Sequence, residues 1–171
     1  MDIPDNSHVS SGPSVDLSLL SRDELESLIK MRQIFEHEKF PDQSIPNSWF
    51  QLDDWTFLRY LRARSFNVQK AEQMLKATLE FRRVYKPHLL NEHDPELRAL
   101  LNERVWRLIG SSISGSPIQI SFSGLINVGV LGANEEIYRK YVILCNELIG
   151  REYVKNAWRS DKNMYVSFVC R

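Results

Sequence analysis

FLRYLRARSFNVQKAEQMLKATLEFRR, residues 57–83, decides how this chain is read. Leu58, Leu61 and Phe57 recur at helical spacing. The pattern breaks at Ser65-Phe66-Asn67 and resumes with Ala71, Leu75, Thr78 and Leu79. Two amphipathic helices joined by a three-residue corner are expected, because apolar residues at i, i+3 and i+4 put one stripe on one face. Asp53 is placed to cap the first helix, with Leu52 and Phe57 as its hydrophobic staple, and Asn67 to cap the second behind Phe66. Pro87 ends the second helix.

The arginines of this stretch separate by angle. At 100° per residue from Phe57, the apolar arc of the first helix centres near about 20°. Arg59 at about 200° and Arg62 at about 140° fall outside it and read as surface charge, whereas Arg64 at about 340° falls inside it. A cation there either snorkels, satisfies the last carbonyls of its own helix, or serves a buried or lipid-facing anion. In the second helix Arg82 lies within the apolar arc and reads as an ion pair or cap that fixes packing, while Arg83 shares the polar side with Glu72 and Lys76.

Working outward, Ser21-Arg22-Asp23-Glu24 forms a capping box between Leu20 and Leu25. A helix over 22–37 follows, with Leu25, Leu28, Ile29, Arg32 and Phe35 on its inner face. Residues 1–16 have the composition of a disordered tail, and 39–51, with Pro41 and Pro46, that of a linker. Asp94-Pro95 starts a short helix carrying Leu97, Leu100 and Leu101.

After residue 104 the period changes. Val105 to Ile109 and Pro117 to Phe122 read as strands around a turn, with Ile118, Ile120 and Phe122 on one face. Asn134 caps a helix from 135 to 149 or beyond, with Ile137, Tyr138, Tyr141, Leu144, Cys145 and Leu148 as its stripe. Met164 to Cys170 is an apolar run suited to a strand covered on both faces, so the sequence is expected to stop inside a domain.

Composition excludes more than it includes. The 171 residues are 43% hydrophobic and 26% charged, with 22 basic and 22 acidic side chains, an ordinary soluble-protein balance that points to no nucleic-acid partner. Charge is unevenly spread: residues 59–86 hold eight basic side chains and two acidic ones, and the first 21 residues hold no Lys or Arg. With no basic start followed by an apolar run, and no apolar stretch near the roughly 20 residues of a spanning helix, a cytosolic protein with reduced Cys145 and Cys170 is expected.

Gly110 to Gly115 has P-loop spacing, but Ser116-Pro117 stands where Lys and Ser/Thr belong and a strand follows, so a hairpin turn is the reading. His88 and His93 match no strong ligand pattern and read as a solvated linker. No C-x-x-C pair and no G-x-S-x-G elbow occurs. No enzyme, metal or cofactor is expected.

The residues Phe57-Leu58-Arg59-Tyr60-Leu61-Arg62-Ala63-Arg64-Ser65-Phe66-Asn67-Val68, then Ala71 and Phe81-Arg82, resemble the leucine/arginine hairpin of the CRAL-TRIO family of phosphatidylinositol-transfer and retinal-binding lipid carriers. Gly115-Ser116-Pro117-Ile118 resembles the Gly-Arg-Pro-Val that opens that family's lipid domain, and Gly124 fits a glycine that follows. The resemblance implies an α/β fold, α+β over the whole chain, with an N-terminal helical unit followed by a mostly parallel sheet flooring an apolar pocket. The expected division is 1–21 tail, 22–103 helical unit with its core in 52–86, and 104–171 the incomplete lipid-binding domain. It also implies a truncated cytosolic carrier, peripheral to membranes, whose partners are a phospholipid or other small hydrophobic ligand and an anionic membrane surface. In phosphatidylinositol-binding members a basic pair at the corner contacts the inositol phosphate. Arg64 matches its first position, and the second, a lysine there, is Ser65 here. The lipid headgroup is therefore assigned to Arg64 and the pocket wall to Ile118, Ile120 and Phe122. The alternative reading is a regulatory module that docks at membranes or on a small GTPase without lipid exchange.

Overall fold

The structure, a computed structural model, describes residues 15–39, 49–103, 105–112, 117–122 and 134–157. It is an α+β chain of five α-helices and one two-stranded sheet among the described residues: α1 (Arg22–Phe35), α2 (Asp54–Arg62), α3 (Val68–Tyr85), α4 (Pro95–Asn102), β1 (Trp106–Ser111), β2 (Pro117–Ser121) and α5 (Glu135–Ala157).

Local chemistry sets the helix starts. Ser21 and Glu24 close a reciprocal capping box, with Glu24 N–H donating to Ser21 Oγ at 3.3 Å and Ser21 N–H to Glu24 Oε2 at 2.9 Å. Asp53 accepts from Thr56 N–H at 2.8 Å, Asn67 from Lys70 N–H at 3.0 Å, and Asn134 from Ile137 N–H at 3.2 Å. Asp94 caps α4, whose first residue is Pro95. Each cap satisfies an amide that the helix itself leaves without a partner.

The first core is built by α1, α2 and α3. Leu28, Met31 and Phe35 meet Phe57, Leu58, Tyr60 and Leu61 of α2 and Ala71, Leu75 and Leu79 of α3, with Phe50 beside them. On α1 the buried stripe is rotated from the expected one: Met31 is fully buried and Ile29 is exposed. Leu28, Met31 and Phe35 centre the stripe to one side of Leu28, which turns Ile29 about 130° away from it. Residues 15–20, the end of the stretch expected to be tail, include a 3-10 turn at Leu17–Leu19, and Val15, Leu17 and Leu20 pack on this core. Their apolar spacing outweighs the polar composition of the stretch.

The second core joins Leu97 of α4 to Tyr141, Leu144 and Cys145 of α5, with Trp106 of β1 packed against it. β1 and β2 pair antiparallel, Trp106 opposite Ser121 and Leu108 opposite Gln119, with an irregularity between Leu108 and Gly110. Gly110 there takes φ 132°, a conformation that L side chains rarely adopt. The hairpin expected around 110–117 is thus present, although its turn, residues 113–116, lies outside the described residues. The parallel strands implied by the resemblance are not among the described residues, and the run Met164 to Cys170, the linker prolines, Gly115, Ser116 and Gly124 also lie outside them.

Candidate functional site

The corner between α2 and α3 is where sequence and backbone are least ordinary. Ser65 and Phe66 take φ 49° and 58°, two successive left-handed residues, neither of them glycine. Each such residue costs on the order of 1–2 kcal/mol, so the surroundings must hold it. They do so with backbone hydrogen bonds: Phe66 N–H donates to Leu61 O at 2.7 Å, Ser65 N–H to Arg62 O at 3.2 Å, and Asn67 N–H to Arg64 O at 3.0 Å. Phe66 also packs on the first core.

This bent corner delivers Arg64 to the mouth of a groove along α3. The groove, of roughly 570 Å³, is lined by Arg64, Lys70, Gln73, Met74, Ala77, Thr78 and Phe81. Its wall is fixed from below, since Tyr60 OH donates to Thr78 Oγ1 at 2.9 Å and Thr78 Oγ1 donates to Met74 O at 3.1 Å. Arg64 is exposed, and its Nη1 donates to Ala63 O at 2.9 Å, which satisfies a carbonyl at the end of its own helix. Among the described residues it has no carboxylate partner, and no acidic side chain lines the groove. The remaining guanidinium donors can bind an oxyanion with two parallel hydrogen bonds.

The other arginines do different work. Arg62 is exposed, as expected. Arg59, expected at the surface, is half-buried among aromatics, its guanidinium 5.5 Å from the Trp49 ring centroid, 5.1 Å from Trp55 and 5.3 Å from Tyr60. The helical angle of Arg59 is measured against α2 alone and carries no information about Trp49, which comes from the preceding segment. Arg83 joins the end of α1 through Glu38 and Lys39 O.

Arg82 is the packing residue that its position in the apolar arc implied. It is 3% exposed and grips Glu147 of α5, 4% exposed, through Nη1–Oε1 at 2.8 Å and Nη2–Oε2 at 3.1 Å. Trp49 Nε1–H donates to Glu147 Oε2 at 2.8 Å, and the Arg82 guanidinium lies 5.4 Å from the Trp49 centroid and 4.6 Å from that of Phe50. A Cβ at Gly150 would overlap the Trp49 ring. This buried clamp ties the helical unit to α5. Sequence reasoning found Arg82 but neither Glu147 nor Trp49, whose separations of 65 and 98 residues from their partners leave no local signal.

Ile118 and Ile120, at alternate positions of β2, and Phe122 just after it are 40%, 37% and 45% exposed. None of them lines the Arg64 groove. His93 lies 3.9 Å from Glu92 on the surface, and no group of three potential metal ligands occurs among the described residues. Burial pushes the Cys145 thiol up to about 12, which removes it as a nucleophile near neutral pH. No described helix is long and apolar enough to cross a membrane.

The fold and corner together define a compact three-helix unit with a cationic bend, joined by a buried clamp to a helix-and-hairpin segment. Residues 23–77 match the family model described as CRAL/TRIO, N-terminal domain, and this segment is a CRAL-TRIO N-terminal unit.

Proposed function

We propose that this chain is a non-enzymatic lipid-binding protein of the lipid-transfer kind, acting in the cytosol and at membrane surfaces. Its ligand is a phospholipid, a phosphoinositide in the first instance, or another hydrophobic molecule with an anionic head. The observation that carries the reading is Arg64, held at a strained corner with no carboxylate partner among the described residues, over a groove containing Lys70 and no acid. The open apolar face of Ile118, Ile120 and Phe122 supplies hydrocarbon contact at about 25 cal/mol per Å² of apolar surface covered. The family match over residues 23–77 supports the same class.

Lipid carriage is tested by native mass spectrometry of the purified protein and by transfer of labelled phosphatidylinositol between vesicles. Co-purified lipid, or transfer above the protein-free rate, is expected. A lipid-free protein that transfers nothing contradicts the proposal.

A further inference from the structure

Helix α3 has three faces where a surface helix ordinarily has two. Ala71, Leu75, Leu79 and Arg82 face the cores. Glu72, Lys76, Glu80 and Arg83 form a charged face in which both acids are engaged, Glu72 with Lys76 at 2.7 Å and Glu80 with Arg83 at 3.7 Å. The third face carries Lys70, Gln73, Met74, Ala77, Phe81, Val84 and Tyr85, a stripe within about 60° of the Lys70 direction at 100° per residue. It holds no acidic residue; Met74 packs on the first core, while Phe81, Val84 and Tyr85 stay open to solvent, 42%, 60% and 40% exposed. Phe81 and Tyr85 pack on each other with ring centroids 4.8 Å apart, making one aromatic plate.

Charge is graded along this stripe. Arg64 and Lys70 stand at its start with no carboxylate partner among the described residues, whereas Arg139, 5.9 Å from the Tyr85 centroid at the other end, is paired with Glu135 at 2.7 Å. A solvent-open aromatic plate on a stripe that begins with unpaired cations complements an anionic lipid interface: the rings enter the headgroup layer and the cations meet lipid phosphates. We infer that this third face of α3 is the surface by which the protein lies on anionic membranes, with Phe81, Val84 and Tyr85 inserted and Lys70 and Arg64 on lipid phosphates. The inference rests on the lipid-handling reading, whose groove it extends, and names the surface that reading needs.

The test is flotation of the full chain with phosphatidylcholine vesicles that contain phosphatidylserine, and with vesicles of phosphatidylcholine alone. Wild-type protein floats with the first and only weakly with the second. The double variant Phe81→Ser/Tyr85→Ser, whose sites are exposed in the native fold, is expected to lower partitioning by about tenfold or more. Lys70→Glu lowers it several-fold, and Lys76→Glu on the charged face has a smaller effect. Far-ultraviolet circular dichroism and tryptophan emission verify that each variant is folded. Undiminished flotation of the double variant, equal binding to neutral vesicles, no wild-type binding at all, or a dimer in solution that the double variant converts to monomer would each overturn the inference, the last by giving the face to a second copy. Lipid carriage is read separately by co-purified lipid in the same preparations, so either reading can fail while the other stands.

Discussion

At the scale of single residues, the corner trades backbone ease for the placement of Arg64. Ser65, at φ 49°, makes no side-chain hydrogen bond among the described residues, so Ser65→Gly removes left-handed strain and is expected to stabilise the fold by up to about 1 kcal/mol, seen as a raised urea midpoint at unchanged slope. Phe66 shares the strain but packs on the core, so Phe66→Gly is expected to destabilise instead. Cys145 gives a second residue-scale expectation. Its thiol pKa is raised by burial, so the stability it contributes is complete below the unfolded thiol value of about 8.5 and is lost as pH rises towards 12. Native protein at pH 8 should leave Cys145 unalkylated by iodoacetamide, and urea-unfolded protein should not, as peptide mass mapping would read. Rapid native labelling of Cys145 would contradict its burial.

At the scale of elements, α3 and α5 are held by a buried ion pair whose worth depends on both partners being present. Arg82→Met takes the guanidinium from buried Glu147, and Glu147→Met takes the carboxylate from buried Arg82, each expected to cost about 3–5 kcal/mol, while the double replacement should recover most of the loss. A urea-unfolding double-mutant cycle measures this, and additive losses would show that the two side chains do not act as a pair. Gly150→Ala is expected to displace the Trp49 indole and cost about 1–3 kcal/mol. What was legible in the sequence follows the same division of range. Caps at Ser21, Asp53, Asn67, Asp94 and Asn134 were readable because each is satisfied within about four residues of itself. Arg82 was readable as a cation inside an apolar arc, but its partner was not, because Glu147 lies 65 residues away and sits on α5 beside that helix's own apolar stripe. Arg59 was misplaced for a related reason: periodicity gives the face of α2 and says nothing of Trp49, which folds back over it.

At the scale of the whole molecule, the described residues include an open apolar patch at Ile118, Ile120 and Phe122 and another on the third face of α3, and Arg64 shares a groove with the second. Sequence reading expected the headgroup cation and the hydrocarbon wall to serve one ligand; among the described residues, the groove at Arg64 is lined by none of Ile118, Ile120 and Phe122. The functional account therefore turns on whether Arg64 is an anion-binding residue or ordinary surface charge. Arg62 is the proper control, since it is exposed, two residues away and equally basic, whereas Arg59 is engaged by three aromatic rings. The measurement is binding of Arg64→Glu and Arg62→Glu to vesicles containing phosphatidylinositol 4-phosphate, followed by flotation at fixed ionic strength. A loss for Arg64→Glu several-fold larger than for Arg62→Glu is the predicted result; equal losses would contradict the account and leave Arg64 as one surface charge among others.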